Sequence, residues 1–418
     1  MSAAASFYAR AFGEFRGRAL FVALGCLVCQ MGLGLTYIRT GMAPELIEGL
    51  GLAGRTELSS AATPQLIFQA LASPLVGWLA VRLGASRVLA ISAALFAFVF
   101  FGFSRIESLG HLYVVAAGIG LCAAGMGDIT VGHVVSQWFH RNRGLALGIA
   151  YAGSNLGGSV MVALVSEVAA KATWREGLLA IVPVALFVLL PTALFLVREP
   201  DADTEGGEPQ APSDVPERVD EHALDLRSAL RTRSFWILTA TLFTFFFYFT
   251  GILDALVLFL VDSGLSKDEA RVYFGQAVGL GVVSKILGGF LSDRIPQVRA
   301  VQVVYGILAV SSGILIVLLF RPHPALISAF VFSWGFSQAC RDVVYPLVLS
   351  HCFGDRHMGE IYGAMTLTLF PGGALGPLFA AQLYDRLGDY KIAFAVFAAT
   401  NVAAFFALLL VRDERARP

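Results

Sequence analysis

The 418-residue sequence predicts an all-α membrane protein whose twelve transmembrane helices form two six-helix bundles. Twelve separate stretches of about 20 largely apolar residues run through the chain, and a helix that crosses ~30 Å of hydrocarbon needs about 20 residues. Hydrophobic residues make up 57% of the chain and charged residues 14%, which is outside the usual range of soluble domains. Because lipid offers no hydrogen-bond partner to an open backbone, these stretches must be helical.

The predicted spans are joined by short polar connections, except after the sixth. In chain order they cover residues 19–38, 59–81, 87–104, 110–137, 144–167, 176–197, 235–260, 272–292, 300–320, 325–350, 358–383 and 390–411. The long polar segment after span six divides the chain into an N-terminal bundle (1–198), a cytoplasmic linker (199–233) and a C-terminal bundle (234–418).

The linker has two parts of different composition. It opens with an acidic run rich in Pro and Gly, which cannot bury a core and therefore predicts disorder. It closes with an amphipathic pattern over residues 224–236, which predicts a short helix leading into span seven.

The placement of Lys and Arg orients the chain with both termini in the cytoplasm. In this orientation the inner segments, including the linker, carry eighteen of these residues, and the outer loops carry ten, Arg39 among them. Cytoplasmic loops of membrane proteins carry such an excess. The usage of Ala, Gly and Arg favours a bacterium, so we expect a multi-pass protein of the plasma membrane, here the bacterial inner membrane.

Two short matches relate the halves of the chain. Gly77–Arg82 (GWLAVR), after span two, is matched 212 residues further on by Gly289–Arg294 (GFLSDR), after span eight. Asp128–Phe139 in span four is matched 214 residues further on by Asp342–Phe353 in span ten. Two six-helix repeats related by an axis along the membrane normal are typical of rocker-type secondary transporters.

These matches resemble the major facilitator superfamily over essentially the whole chain. The loop motif of that family, roughly G-x-L-a-D-r-x-G-r, is approximated once in each half. The first copy has Val81 where the family usually has Asp, so the gating contact ascribed to that acid is not implied there. The resemblance implies a gating role for Gly77, Arg82, Gly289, Asp293 and Arg294.

A narrower resemblance begins at span five. Residues 138–157 (WFHRNRGLALGIAYAGSNLG) are similar to a pattern of monocarboxylate transporters and their oxalate/formate-exchanger relatives. Residues 353–359 (FGDRHMG), 372–377 (GGALGP) and 383–385 (LYD) resemble span eleven of the same group. The acidic-Gly motif of span one in the animal carriers is replaced by residues 31–37 (MGLGLTY). The resemblance implies a proton-coupled or exchange carrier for small organic anions.

Six ionisable side chains fall in the interior of the predicted spans, away from their ends. A full charge at the bilayer centre costs at least ~2.5–3.5 kcal/mol, so it persists only where it faces a cavity or a partner. None lies in the interior of spans three, six, nine or twelve, which this architecture places against lipid. The six are Asp128 and His133 in span four, Asp254 in span seven, Lys285 in span eight, and Arg341 and Asp342 in span ten.

Two of the six are cations that suit a substrate carboxylate. Lys285 lies about two helical turns before Asp293 of the second loop motif, where the resembling carriers place a substrate-binding Arg. An ammonium in a low-dielectric cavity attracts a carboxylate strongly, although it lacks the bidentate fork of Arg. The alternative for Lys285 is a structural ion pair with Asp254 or Asp128. Arg341 is either a second anion-binding cation or an interhelical tie.

The acids and the histidine are candidates for proton coupling. Asp254 lies midway along a strongly aromatic helix, and burial raises the pKa of a carboxyl group, which allows proton exchange near neutral pH. Asp254 is therefore the preferred proton carrier, with a structural pair to Lys285 as the alternative. Asp128 and Asp342 are equivalent under the repeat and suit either proton coupling or a gate. An imidazole exchanges protons in the useful range of pH, which makes His133 a candidate, although a lone histidine in a membrane span is more often a hydrogen-bonded packing residue.

Four uncharged polar residues on cavity-type helices are candidates for substrate binding: Tyr37, Gln69, Asn155 and Tyr345. The zero net charge gives no reason to expect a nucleic-acid partner. The sequence has no G-x-x-x-x-G-K-[ST] loop, zinc-ligand spacing or nucleophile elbow, so we expect no enzyme activity, cofactor or metal. Cys26 and Cys29 form a C-x-x-C inside an apolar helix without a second cluster, which does not indicate a metal site.

The sequence thus predicts a secondary active transporter that moves a small organic anion, a monocarboxylate such as lactate or pyruvate, by proton-coupled alternating access. Its partners are the anion, protons and the lipid bilayer, and one chain suffices as a monomer. Two alternatives remain open. A proton-driven exporter of drugs or hydrophobic compounds would have the same fold and use Asp128 and Asp254, although two core cations argue against it. A transport-inactive sensor would signal through the linker.

Overall fold

The computed structural model describes residues 17–139, 143–199, 224–292, 295–354 and 357–415, and every regular element in them is helical. The first part contains α1 Arg18–Gln30, a 3-10 turn Leu33–Tyr37, α2 Ile38–Gly41, α3 Ala43–Leu50, α4 Arg55–Ser60, α5 Ala62–Leu83, α6 Ala85–Phe103, α7 Leu109–Met126, α8 Asp128–Trp138, α9 Arg143–Lys171, α10 Trp174–Leu179, α11 Ile181–Val184, a π turn Ala185–Leu189 and α12 Leu190–Phe195. The second part contains α13 Leu226–Ala229, α14 Arg233–Asp262, α15 Lys267–Ser292, α16 Gln297–Leu318, α17 Pro324–Phe353, α18 Met358–Thr366, α19 Leu369–Leu387 and α20 Lys391–Leu408.

The chain forms two compact units that do not follow the predicted halves at every point. Unit 1 consists of the described residues of Met1–Glu199 together with Asp254–Ile286. Unit 2 consists of the described residues of Pro200–Leu253 and Leu287–Pro418. The end of α14 and most of α15 therefore belong to the same unit as the N-terminal half. As a result, Asp254 and Lys285 share a unit with spans one to six.

Nine helical stretches in the described residues are long and apolar enough to cross a membrane. They correspond to the predicted spans one, three to seven, nine, eleven and twelve. The three other predicted spans are also helices, α5, α15 and α17, with 22, 26 and 30 residues. Each of these carries polar side chains in its interior, which lowers its mean hydropathy.

Close helix contacts in unit 1 depend on glycines. A side chain at Gly153 or Gly157 of α9 would collide with the backbone at Leu27 or Met31, at and just beyond the end of α1. A side chain at Gly120 of α7 would collide in the same way with the backbone of α5. Small residues allow the backbones of membrane helices to approach one another closely, so these positions fix the packing around α9 and α5.

The core of unit 2 is aromatic. Phe247 of α14 packs edge-to-face on Phe397 of α20, with ring centroids 5.0 Å apart, and lies 5.3 Å from Phe379 of α19. Further along α14, Phe249 stacks on Trp334 of α17 at 5.9 Å. Aromatic pairs at such distances contribute roughly 0.5–1.5 kcal/mol beyond the area they bury. The rings thus hold α14 against α17, α19 and α20.

Three predicted spans are interrupted, two of them next to polar candidates. Gly127 has an extended backbone (φ −80°, ψ −170°) between α7 and α8, so span four breaks immediately before Asp128. Span one passes through the 3-10 turn that ends at Tyr37, and span eleven breaks between α18 and α19. Broken helices are common beside the binding sites of transporters.

The linker is described only at its end. The disorder predicted for its acidic part falls on residues 200–223, which lie outside the described residues. The amphipathic pattern over 224–236 contains the four-residue helix α13, and α14 then begins at Arg233. The Asp225 side chain caps α13 by accepting a hydrogen bond from the Ser228 amide at 2.9 Å.

Candidate functional site

Lys285 is buried between α15, which carries it, and α9. Its Nζ donates hydrogen bonds to the Tyr151 carbonyl oxygen at 3.3 Å and to Ser154 Oγ at 3.1 Å. The two helices are in contact here: a Cβ added at Gly148 of α9 would stand 3.5 Å from the Lys285 carbonyl oxygen, an ordinary van der Waals distance.

Tyr151 connects Lys285 to the break in span four. Its carbonyl oxygen accepts from Lys285, and its hydroxyl donates to the Asp128 carbonyl oxygen at 3.1 Å. The Asp128 carboxylate also accepts a hydrogen bond from Gln30 Nε2 at 2.6 Å. Asp128 is exposed at the first position of α8, where the helix dipole favours a negative charge. We call Lys285, Tyr151, Asp128 and Gln30 the polar chain of unit 1.

Asn155 and Tyr37 lie beside this chain and face α15. The Asn155 side chain is buried and donates to the Val278 carbonyl oxygen at 3.0 Å, and a side chain at Gly281 would collide with its amide. The Tyr37 ring packs edge-to-face against Phe274, with centroids 6.4 Å apart. Both residues therefore tie the N-terminal helices to α15.

His133 and Gln69 lie outside the polar chain. The His133 ring nitrogen Nε2 is 3.1 Å from Gln137 Nε2, one turn further along α8. Gln69 is half-buried on α5, where its carbonyl oxygen accepts a hydrogen bond from Ser73 Oγ at 2.7 Å.

Asp254 is paired with an arginine that the sequence analysis placed in an outer loop. Arg39 Nη1 lies 2.6 Å from Asp254 Oδ1, and the two side chains are 8% and 6% exposed. Ser59 Oγ also donates a hydrogen bond to the other carboxylate oxygen. The outer-loop assignment of Arg39 is therefore corrected: the chain continues as helix α2 beyond span one and carries the guanidinium into the protein. This pair replaces the suggested structural pair between Asp254 and Lys285.

Arg341 is the buried cation of unit 2. Its guanidinium carbon lies 4.5 Å from the ring centroid of Phe245, 4.7 Å from that of Phe246 and 5.2 Å from that of Tyr345. Nη1 contacts the carboxylate of the neighbouring Asp342 at 2.8 Å. Nε and Nη2 are buried and have no hydrogen-bond partner among the described residues.

The residues around Arg341 have unequal exposure. The Arg341 side chain is 4% exposed, whereas the Asp342 side chain is 39% exposed. Tyr345 is fully buried, and its hydroxyl donates to the Leu238 carbonyl oxygen of α14. Tyr345 therefore presents its ring, rather than its hydroxyl, to the guanidinium.

The loop-motif residues are only partly described. Gly77 lies within α5, and a Cβ added there would stand 3.7 Å from Ile129. The exposed Arg82 lies over the Trp78 ring at 4.4 Å. Gly289 lies within α15, while Asp293 and Arg294 lie outside the described residues.

Three functional candidates were missed from the sequence: Gln30, Tyr151 and Arg39. Gln30 is a single polar residue in an apolar run, which is a usable signal for an internal contact. Tyr151 lies inside the motif of span five, four residues before Asn155, and this position is a usable signal for it as well. Arg39 directly follows an apolar run, and a residue at such a position can belong either to a loop or to a continuing helix. Among the described residues no group of three or more His, Cys, Asp or Glu side chains is arranged to hold a metal.

Comparison with known proteins agrees with this architecture. Residues 22–377 match the Major Facilitator Superfamily. The oxalate:formate antiporter of Oxalobacter formigenes is 26% identical, over 97% of this chain and 94% of the relative. Monocarboxylate transporter 13 of Bos taurus is 25% identical, over 71% of this chain and 66% of the relative.

The fold is also similar to a crystal structure of a bacterial homolog of the human lysosomal transporter Spinster, in an inward-facing, unoccupied conformation. The TM-score is 0.67, with 17% sequence identity over 96% of both chains. The family match covers most of the chain, so the protein belongs to the Major Facilitator Superfamily, a family of transporters. The resemblance to oxalate:formate exchangers and monocarboxylate transporters is confirmed.

Proposed function

We propose that this member of the Major Facilitator Superfamily is a secondary transporter that exchanges or co-transports a small organic anion with protons. The relatives named for oxalate, formate and monocarboxylates support a carboxylate as the substrate. In this proposal Lys285 and Arg341 bind the carboxylate. Asp254, together with Asp128, carries the proton, and twelve spans with both termini in the cytoplasm provide the path.

The observation that carries the proposal is the state of the Arg341 guanidinium. A buried charged donor without a partner is costly, and an arginine in a membrane span persists only with a function or a partner. The nitrogens Nε and Nη2 form one lateral edge of the guanidinium, and a carboxylate binds such an edge with two parallel hydrogen bonds. The described residues offer no partner to this edge of the Arg341 guanidinium, which matches a carboxylate ligand in both charge and shape.

The aromatic rings around Arg341 support the same ligand. Phe245, Phe246 and Tyr345 stabilise the guanidinium through their faces, by cation–π contacts. Such contacts take no N–H donor away from a ligand. Asp342 uses Nη1 only, so the charge is held in place while the lateral edge stays available for an anion.

Lys285 provides the second cation of the proposal. Its Nζ donates hydrogen bonds to the oxygens of Tyr151 and Ser154, which orient the ammonium on α9. A second carboxylate oxygen or a hydroxyl of the substrate is the ligand that such a point charge suits.

The proton is assigned to Asp254 on the basis of its pair with Arg39. Protonation removes the negative charge of the carboxylate and with it the Coulombic attraction to Arg39, which is strong in a buried site. A proton on Asp254 therefore changes how tightly α14 is bound to α2. Asp128 is exposed and reaches Lys285 through Tyr151, so it can exchange a proton with water near the substrate cation.

The test is uptake of labelled lactate into proteoliposomes under an inward proton gradient, with unlabelled pyruvate, acetate, oxalate and formate as competitors. Wild-type protein should accumulate label that a carboxylate displaces, and Lys285→Ala should lose at least about tenfold in uptake rate. Wild-type protein that is folded and inserted but shows neither uptake nor competition by carboxylates would contradict the proposal. Competition by lipophilic cations instead would favour an exporter.

A further inference from the structure

The segment that leads into α14 carries an exposed surface that the transport proposal does not use. Residues 224–236 pass the end of α17, where the Leu224 amide donates a hydrogen bond to the Phe353 carbonyl oxygen at 2.9 Å. Ala229 and Thr232 are buried, so the segment is packed onto unit 2 along one side. Its exposed side combines guanidinium groups with large apolar side chains.

The apolar part of this surface consists of Leu230 and Trp236, which are 40% and 59% exposed. The Trp236 indole Nε1 donates a hydrogen bond to the Leu230 carbonyl oxygen at 2.9 Å, which holds the ring beside the leucine. Trp236 lies in the first turn of α14, where the span begins, and tryptophan is enriched at the membrane–water interface. Both side chains therefore lie where lipid headgroups meet acyl chains.

The basic part consists of four exposed arginines, three from the segment and one that follows α20. Ser234 Oγ accepts a hydrogen bond from the Arg412 amide at 3.3 Å and lies 3.2 Å from the Arg412 carbonyl oxygen, which places Arg412 beside the start of α14. The Ser234 hydroxyl also donates to Glu414 Oε1 at 2.6 Å, which holds the same stretch of chain in place. The four exposed arginines are Arg227, Arg231, Arg233 and Arg412.

The carboxylates described in these two stretches are engaged with other groups. Asp225 caps α13, Asp413 pairs with Arg415 at 3.0 Å, and Glu414 accepts from Ser234. Across the described residues, none of the four exposed arginines forms an ion pair. The surface therefore keeps an excess of positive charge next to its apolar side chains. We call it the basic patch of unit 2: Arg227, Leu230, Arg231, Arg233, Trp236 and Arg412.

We propose that the basic patch binds the headgroup of an anionic phospholipid. Guanidinium groups bind phosphate oxygens with paired hydrogen bonds, and basic residues next to a span attract anionic lipids. Leu230 and Trp236 extend the contact to the glycerol and acyl region of the same lipid, which a soluble phosphate lacks. The orientation of a span requires only Lys or Arg in a loop, which explains neither the exposed Trp236 nor the position of Arg412.

The test measures how phosphatidylglycerol with brominated acyl chains quenches the tryptophan fluorescence of the purified full chain in detergent micelles. The signal of Trp236 is the difference between the wild type and Trp236→Phe. Phosphatidylcholine with the same brominated chains is the neutral control. Half-maximal quenching of Trp236 should occur at a mole fraction of phosphatidylglycerol at least about fivefold lower than that of phosphatidylcholine, because one basic residue near the membrane surface contributes about that factor.

Substitution of single arginines locates the headgroup. Arg231→Gln, Arg233→Gln and Arg412→Gln should each raise the half-maximal mole fraction of phosphatidylglycerol about threefold or more and leave that of phosphatidylcholine unchanged. Arg412→Gln is the most specific of these variants, because only the fold brings this residue to the patch. Arg87→Gln is the matched control: Arg87 is also exposed in the first turn of a helix, α6 of unit 1, and this variant should titrate as the wild type does.

Equal quenching of Trp236 by the two lipids, or arginine variants that titrate as the wild type, would overturn the inference. Displacement of phosphatidylglycerol by inorganic phosphate at constant ionic strength would assign the patch to a soluble anion and overturn it as well. The comparison of the two lipids uses the wild-type chain, so it decides even where a substitution impairs folding. Lipid binding is measured without transport, so its result is independent of the proposed substrate.

Discussion

Two buried arginines, Arg39 in unit 1 and Arg341 in unit 2, have contrasting surroundings. In unit 1, Arg39 faces a carboxylate from a distant part of the chain, Asp254, and only its Nε is buried without a hydrogen-bond partner. In unit 2, Arg341 has only the adjacent, half-exposed Asp342 as its carboxylate, and both Nε and Nη2 are without a partner in the described residues. Arg39 connects two helices through its ion pair, whereas Arg341 has N–H donors to which the described residues offer no acceptor.

The difference shows how a binding charge can be told from a structural one. A structural charge receives its counter-charge from another element, since that contact contributes to packing. In the proposed function, a binding charge is fixed by contacts that leave its donors open, as the rings of Phe245 and Phe246 do for Arg341. Four predictions test this comparison, in decreasing order of the expected effect.

Removal of one partner of the buried pair should destabilise the protein most. Asp254→Asn leaves Arg39 without its counter-charge, and breaking a buried pair in this way costs about 3–5 kcal/mol. The melting temperature in detergent should fall clearly. The double variant Arg39→Gln/Asp254→Asn should recover part of the loss, and a double variant as unstable as the single one would contradict a direct pair.

Removal of the open cation should abolish substrate binding without loss of stability. Arg341→Gln should lower the apparent affinity for the carboxylate at least about thirtyfold, since a buried charge pair is worth about 2–5 kcal/mol to binding. Its melting temperature should stay equal to that of the wild type or rise. Arg341→Lys keeps the charge but loses the lateral edge and should restore only part of the affinity.

Arg105 offers the matched control for this variant. It also lies over an aromatic ring, that of Phe101 at 5.3 Å, but it is exposed. Arg105→Gln should transport and bind as the wild type does. Equal losses in Arg105→Gln and Arg341→Gln would show that the effect comes from charge in general rather than from the open donors.

The polar chain of unit 1 should show a smaller effect. Tyr151→Phe removes the hydroxyl that donates to the Asp128 carbonyl oxygen, and one such neutral hydrogen bond contributes about 0.5–1.5 kcal/mol. Uptake should fall severalfold with little change in melting temperature. The contact from Lys285 goes to the Tyr151 backbone and survives the substitution, so a complete loss of uptake would mean that the hydroxyl itself contacts the substrate.

An exposed pair within one helix should show the smallest effect. Glu167→Gln removes the pair with Lys171 on α9, and exposed pairs at this spacing are worth about 0.3–0.5 kcal/mol. Neither melting temperature nor uptake should change measurably. A clear effect here would mean that exposed charges control stability and uptake as strongly as buried ones do. The contrast between the two buried arginines would then not explain the effects of their substitution.

The sequence alone predicts the helical fold, because an apolar run long enough to cross a membrane must be helical to satisfy its backbone hydrogen bonds. The family resemblance followed from local motifs such as residues 138–157, and the comparisons confirm it. The buried charges on α14, α15 and α17 were also visible as exceptions in apolar runs. Each of these signals is local in the sequence.

The pairing of these charges was not predictable in the same way. Asp254 and Arg39 are far apart in sequence, and Arg39 stands at a helix end, where hydropathy does not separate a loop from a short helix such as α2. Tyr151 contributes through its backbone carbonyl as well as its hydroxyl, and a backbone contact leaves no mark on residue type. The partners therefore required the structure, as did the candidates Gln30, Tyr151 and Arg39, whereas the charged candidates inside the spans did not.

The central claim is that the lateral edge of Arg341 receives the carboxylate of the substrate. A thermal-shift titration of purified wild type, Arg341→Gln and Arg105→Gln with formate, oxalate, lactate, pyruvate and acetate tests it most directly. A ligand at a hundred times its Kd stabilises the folded state by about 2.7 kcal/mol. We expect at least one carboxylate to raise the melting temperature of wild type and Arg105→Gln but not of Arg341→Gln. An equal rise in Arg341→Gln, or no rise in the wild type with any carboxylate, would contradict the claim.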